Sequence, residues 1–124
     1  MTINGLGATN TTVRRDSGAA TEFRIFGKNG GNATFSGMTV RDGVARGVSG
    51  VQGGQALGGG IVNEGLGTMT LSNVVVTNNQ AIGTIANAGA EGNAFGGGIF
   101  SSAPLTIVDS TISGNTVTGG NGTS

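Results

Sequence analysis

Six carboxylates are the side chains of this 124-residue chain best suited to hold a hard cation or to exchange a proton: Asp16, Glu22, Asp42, Glu64, Glu91 and Asp109. There is no His and no Cys, so imidazole bases, thiolate nucleophiles and disulfides are excluded, and the redox compartment is not readable. Calcium-assisted cleavage of a polysaccharide needs carboxylates clustered around the ion, with a basic residue facing them. Hydrolysis of a glycosidic bond needs two carboxylates across one cleft. Neither pattern is present. In the internal alignment given below, Asp42 falls on Asn78 and Gly114, and Asp109 falls on Gly37 and Asn73. The acids therefore do not stack, and the calcium-binding nonapeptide GGxGxDxUx is absent. No catalytic, metal or cofactor-binding residue is expected, and the chain reads as a non-enzyme.

Other chemistry-bearing patterns are also thin. Gly58–Gly60 and Gly96–Gly98 lack a following GK[ST] and a helix, so they read as strand starts in tight quarters and not as phosphate loops. The aromatics are Phe23, Phe26, Phe35, Phe95 and Phe100, and they sit on or beside strand positions, which suits core packing better than sugar stacking. The six basic residues, Arg14, Arg15, Arg24, Lys28, Arg41 and Arg46, are few and lack aromatic partners, so nucleic acid is not an expected partner. They all lie in the first 46 positions, which carry three acids and sum to +3; the remainder carries three acids, no base, and −3. Lys28 and Glu64 lie one period apart and are expected to pair across neighbouring repeats. No stretch resembles a signal peptide or a membrane span, so a surface location needs a leader outside this sequence.

What would position any of these groups is a repeat. TFSGMTVRDGVARG (34–47), TLSNVVVTNNQAIG (70–83) and TIVDSTISGNTVTG (106–119) match without a gap at a spacing of 36. Inside them the apolar residues alternate, which predicts strands with one face inward. Phe35, Leu71 and Ile107 form one column, and Val40, Val76 and Ile112 another. Gly37, Asn73 and Asp109 interrupt each segment with residue types that tolerate a bend, giving two short strands and a corner. A second corner follows at Asp42-Gly43, Asn78-Asn79 and Gly114-Asn115, where Asn79 and Asn115 form a turn ladder. A third strand comes earlier, at Gly58–Val62 and Gly96–Phe100, with Phe23–Phe26 in the same place in the first repeat. Val48–Gly53 and Thr84–Glu91 read as loops leaving one corner. Gly, at 27 of 124 residues, supplies the turns. Thr34, Thr70 and Thr106 make an outward hydroxyl column, a feature that ice-binding solenoids also display.

One coil per repeat, with three short strands and a loop, stacked in register, is a parallel β-helix. GGGIVNEGLGTMTLSNVVVTNNQA and GGGIFSSAPLTIVDSTISGNTVTGG resemble the coils of bacterial right-handed parallel β-helix proteins. These are pectin-lyase-like solenoids and the polymorphic-outer-membrane-protein type repeats of secreted or surface proteins. The resemblance implies an all-β, right-handed β-solenoid of about three and a half coils and an extracellular or cell-surface location. The chain reads as a single domain (1–124), with a partial opening coil at 1–19 and repeat segments at about 20–57, 58–95 and 96–124.

Such solenoids host lyases, adhesins and passive stalks alike. The expected function is a structural unit whose coil ends, at Thr2 and Ile3 and at Thr118 and Asn121, carry no capping segment and associate head-to-tail. The partner is then a second copy of the chain. Surface glycans are a further partner class if the chain belongs to a carbohydrate-binding or carbohydrate-degrading β-helix protein, and ice binding is a third reading.

Overall fold

The computed structural model describes residues 1–48, 54–84 and 92–120. The two expected loops lie almost wholly outside the described residues, as does Asn121. The described residues form strands, turns and bends with no helix. Two strands open the chain, β1 (Thr2–Asn4) and β2 (Thr12–Arg14). Then come β3 (Phe26–Asn29), β4 (Ala33–Arg41) and β5 (Val44–Arg46). The next group is β6 (Ala56–Leu57), β7 (Ile61–Glu64), β8 (Met69–Thr77) and β9 (Gln80–Ile82). The last is β10 (Ala94–Phe95), β11 (Ile99–Ser101), β12 (Leu105–Val108), β13 (Thr111–Ser113) and β14 (Thr116–Thr118).

Every strand pairing is parallel, and every one joins corresponding strands of successive groups. The largest sheet runs β1-β4-β8-β12, with β2 also on β4 and β13 also on β8. The others are β3-β7-β11, β5-β9-β14 and the two-stranded β6-β10. This all-β, parallel arrangement is compatible with a β-solenoid. Two details differ from the sequence reading. Two short ladders, β5-β9-β14 after the second corner and the two-residue β6-β10, add to the three strands expected. And β4 and β8 each run unbroken for nine residues through the expected corner.

Side-chain alternation explains how that continuity holds. Along β8, Met69 and Leu71 face inward, then Val74 and Val76; the two-residue rhythm resets at Asn73, where φ is +53°. Gly37 and Asp109 have positive φ at the same column, +61° and +48°. A left-handed residue inserted in the strand bends it without breaking the ladder on its neighbours. The next corner uses the same device at Asp42, Asn78 and Gly114.

The core is narrow and layered. Ala33, Phe35, Met38, Val40, Ile61, Met69, Leu71, Val74 and Val76 form one buried cluster. The rings of Phe26 and Phe35 stack at 4.5 Å. A second cluster, where the short β5-β9 and β6-β10 ladders approach each other, contains only alanines: Ala45, Ala56 and Ala81. Larger side chains there would force those sheets apart.

One register differs from the sequence reading, with a visible consequence. The third strand of the first repeat is Phe26–Asn29, not Phe23–Phe26, and Lys28 stands opposite Asn63 and not Glu64. A one-residue slip turns a strand's side chains to the opposite face. Lys28 therefore points inward, 6% exposed, and its Nζ donates to the backbone oxygens of Glu64 (3.1 Å) and Leu66 (3.2 Å). The Lys28–Glu64 ion pair expected from the period does not form.

Candidate functional site

Three features of the described residues depart from a uniform stack: buried polar columns, an uncovered last layer, and a groove beside the bend.

The first polar column follows the second corner. Asn79 is fully buried. Its Oδ1 accepts from Gly43 N–H (2.9 Å), and its Nδ2 donates to Val40 O (3.2 Å) and Asn115 Oδ1 (3.0 Å). Asn115 Oδ1 also accepts from Asn79 N–H (3.0 Å), and its Nδ2 donates to Val76 O (2.9 Å). Each amide thus gives an acceptor to a corner N–H, Gly43 for Asn79 and Asn79 for Asn115, and ties it to a carbonyl of the preceding long strand. Room for the amides comes from the glycine triplets. A Cβ at Gly60 would lie 2.8 Å from Asn79 Nδ2 and 2.8 Å from Gly98 O. Gly60→Ala is therefore expected to lower stability by about 2 kcal/mol or more, read as the loss in a urea unfolding curve; an unchanged midpoint would mean that the amide column does not need that space.

A second inward polar column, Lys28, Asn63 and Ser101, was not anticipated. Asn63 Nδ2 donates to Ser101 Oγ (2.8 Å) and to Ala103 O and Pro104 O (both 3.2 Å). Lys28 and Asn63 serve the carbonyls of the turn in the following repeat. The only sequence signal for this column was a polar residue after two apolar ones in IVNE and IFSS.

The last layer is in register but uncovered. Ile107 is a Cα partner of Leu71, and Ile112 of Val76. Yet Leu71 and Val76 are 0% exposed, while Ile107 and Ile112 are 42% and 45% exposed. Val117, opposite Ala81, is 51% exposed. The expectation that Ile107 and Ile112 stack inside is thus met only from one side, because no described strand lies beyond them. Thr118 ends β14 on this face.

The other side of the stack is built differently. Thr2 and Ile3 lie in β1, opposite Thr34 and Phe35, so the hydroxyl column has four members, Thr2, Thr34, Thr70 and Thr106. Segment 15–25 then crosses the edge of β5. Arg15 Nε donates to Asp42 O (3.0 Å), Val44 N–H to Phe23 O (2.9 Å), and Arg46 Nη2 to Glu22 Oε1 (3.0 Å). The Arg46 hydrogen bond, with its charge, holds the Glu22 carboxyl below its ordinary pKa. The expectation that this end has no polar capping segment is corrected here: the strap covers the edge of β5 and leaves those of β1, β2 and β3 free.

The groove lies on the outer face of the long sheet. It measures about 520 Å³ and is lined by Ser36, Gly37, Asn73, Val75, Asp109 and Thr111, together with Gly5, Gly7, Ala8 and Thr9. Its wall exists because the first layer carries extra chain. Between Asn4, opposite Ser36, and Thr12, opposite Thr39, stand seven residues where the next layer has two. This loop is pinned by Gly5 N–H to Ser36 O (2.8 Å), Gly7 N–H to Gly37 O (2.8 Å) and Thr39 Oγ1 to Ala8 O (2.6 Å). Asp109 is the one titratable group in the lining. Among the described residues, no three potential ligands of the His, Cys, Asp or Glu type come together. Nor is there a helix long and apolar enough to cross a membrane. The groove can therefore bind through hydroxyl, amide and carboxylate groups, and it holds no paired acid and base. Comparison of the chain with protein-family models, with curated proteins and with solved structures finds no match.

Proposed function

We propose that the chain is a right-handed parallel β-helix unit with a structural, non-enzymatic role in a surface or secreted protein, and that it associates head-to-tail. The observation that carries this reading is the exposed last layer. Ile107, Ile112 and Val117 stand in columns whose inner members are completely buried. A face of that kind is completed by one more layer of the same repeat, through backbone ladders and apolar columns together. A second copy offers such a layer in the free edges of β1, β2 and β3, which begin the same columns with Ile3, Val13 and Phe26. The strap over β5 confines the junction to two of the three long ladders. The +3 of the first 46 residues facing the −3 of the remainder favours this polarity over a symmetric contact. The resemblance of the coils to bacterial β-helix repeats supports the handedness and the extracellular setting.

Sedimentation velocity tests the association. The parent is expected to show species that grow with concentration and shrink with added salt. Ile112→Lys, placed on the exposed face, should stay monomeric and melt within a few degrees of the parent. A parent that remains monomeric at every concentration and salt would remove the self-association half of the proposal.

A further inference from the structure

The strap that keeps β5 out of the head-to-tail contact has an outer edge of its own. The layer of β4 and β5 reaches back to the layer before it at three points: Thr34 N–H to Met1 O (2.9 Å), Thr39 N–H to Thr11 O (2.8 Å) and Val44 N–H to Phe23 O (2.9 Å). The strap therefore lies level with β1 and β2, where the β5-β9-β14 sheet would have one more strand. The bond to Phe23 also fixes a register. In this sheet each N–H donates to the residue just before its Cα partner: Gln80, paired with Val44, donates to Gly43 O, and Thr116, paired with Gln80, donates to Asn79 O, both at 2.9 Å. By the same offset, Arg24 is the counterpart of Val44 in the strap. Counterpart residues of a parallel ladder turn their N–H groups the same way along the stack, so Arg24 N–H faces away from β5. It has no partner among the described residues. At the opposite face, Asn115 O is the next acceptor after Phe23, Gly43 and Asn79, and it too has no donor among the described residues.

We propose that, where one copy stacks on the next, Arg24 N–H of the strap donates to Asn115 O of the preceding copy, so that Arg24 stands over Thr116 and the strap sets the register of the junction. This rests on the head-to-tail reading above and adds to it a docking point outside β1, β2 and β3. The same placement sets Thr12 over Thr111, because Thr12, Thr39, Val75 and Thr111 form one column. Phe23, 45% exposed on the strap, and Val117, 51% exposed on β14, lie beside the new bond and are both covered by it. The strap matters because the strands alone discriminate registers weakly. A slip of two residues keeps every side chain of β1 and β2 on its own face, whereas a slip of one reverses them. The strap offers a single outward donor, and a slip of two carries that donor past Asn115 O. Its bond is therefore made in one register only.

The chain has no cysteine, so introduced pairs report the contact directly. Counterparts on neighbouring layers stand about 4.8 Å apart, within the roughly 4.4–6.8 Å that a disulfide spans. Inside one copy the members of each pair below are three layers apart, about 14 Å, and cannot close on each other. Arg24→Cys with Thr116→Cys should give disulfide-linked multimers on mild oxidation, read on a non-reducing gel. They should form at least tenfold faster than with Arg24→Cys and Thr118→Cys, a pair two residues out of register. Thr12→Cys with Thr111→Cys reports the association without the strap. Multimers from that pair but none from Arg24→Cys with Thr116→Cys would leave the association standing and overturn the role of the strap. Equal rates with cysteine at 116 and at 118 would overturn it as well. No multimers from any pair would remove the association, and this inference with it.

Discussion

Val76→Asp should leave the protein unfolded at 25 °C. Val76 is 0% exposed and sits between Val40 and Ile112, its Cα partners on either side. A carboxylate there has no donor to meet it, and the cost of burying it is several kcal/mol. That is comparable to the whole stability of a domain this size, about 5–15 kcal/mol. Val76→Ala should cost only about 2 kcal/mol and keep the fold. Ile112→Asp, in the same column but 45% exposed, should fall well short of the central substitution. Circular dichroism melts of the three variants are decisive. A Val76→Asp melt within a degree or two of the parent would show that this column does not carry the core.

Asn79→Ala is the second large effect. It leaves Gly43 N–H without a partner in a site closed to water, and removes the bonds to Val40 O and Asn115. The orphaned buried N–H costs about 1–3 kcal/mol, and the two lost amide hydrogen bonds add about 1 kcal/mol each, so a loss of about 3–4 kcal/mol is expected. For a chain of this length, that is a drop in Tm of about 10–20 °C. Asn115→Ala frees Val76 O and Asn79 N–H at a half-buried site, where water substitutes in part, and should cost about half as much. Equal melting losses in the two variants would contradict a column whose cost depends on depth.

The all-β, parallel character was legible because one spacing relates the last three layers of the long sheet. The interval of 36 between Thr34, Thr70 and Thr106 is the register of β4 on β8 and of β12 on β8. The residue types at the bends were also informative: left-handed φ admits Gly, Asn and Asp and little else, and the structure has those residues there with positive φ. Where the spacing drifts, sequence reading slipped with it. The β3-to-β7 offset is 35, and one residue was enough to turn Lys28 from a surface partner of Glu64 into a buried donor to a turn. The strap at 15–25 was not legible at all. Arg46 and Glu22 are 24 residues apart, which no repeat relates, and only the folded path brings them together. The groove wall was hidden for a similar reason, since residues 5–11 have no counterpart in later layers.

The direction of the ladders has a mechanical meaning. All inter-strand pairings join one layer to the next, and within each sheet the layers follow chain order. Tension applied to the two ends of the described chain would load the hydrogen bonds along their own direction. They would part in sequence, as a zip does, rather than resist together in shear. The outermost layer, held from one side only, would peel first, and each repeat of 36 residues would release about 120 Å of extended chain. A stalk made of such layers yields in steps and keeps the remaining layers intact at every step.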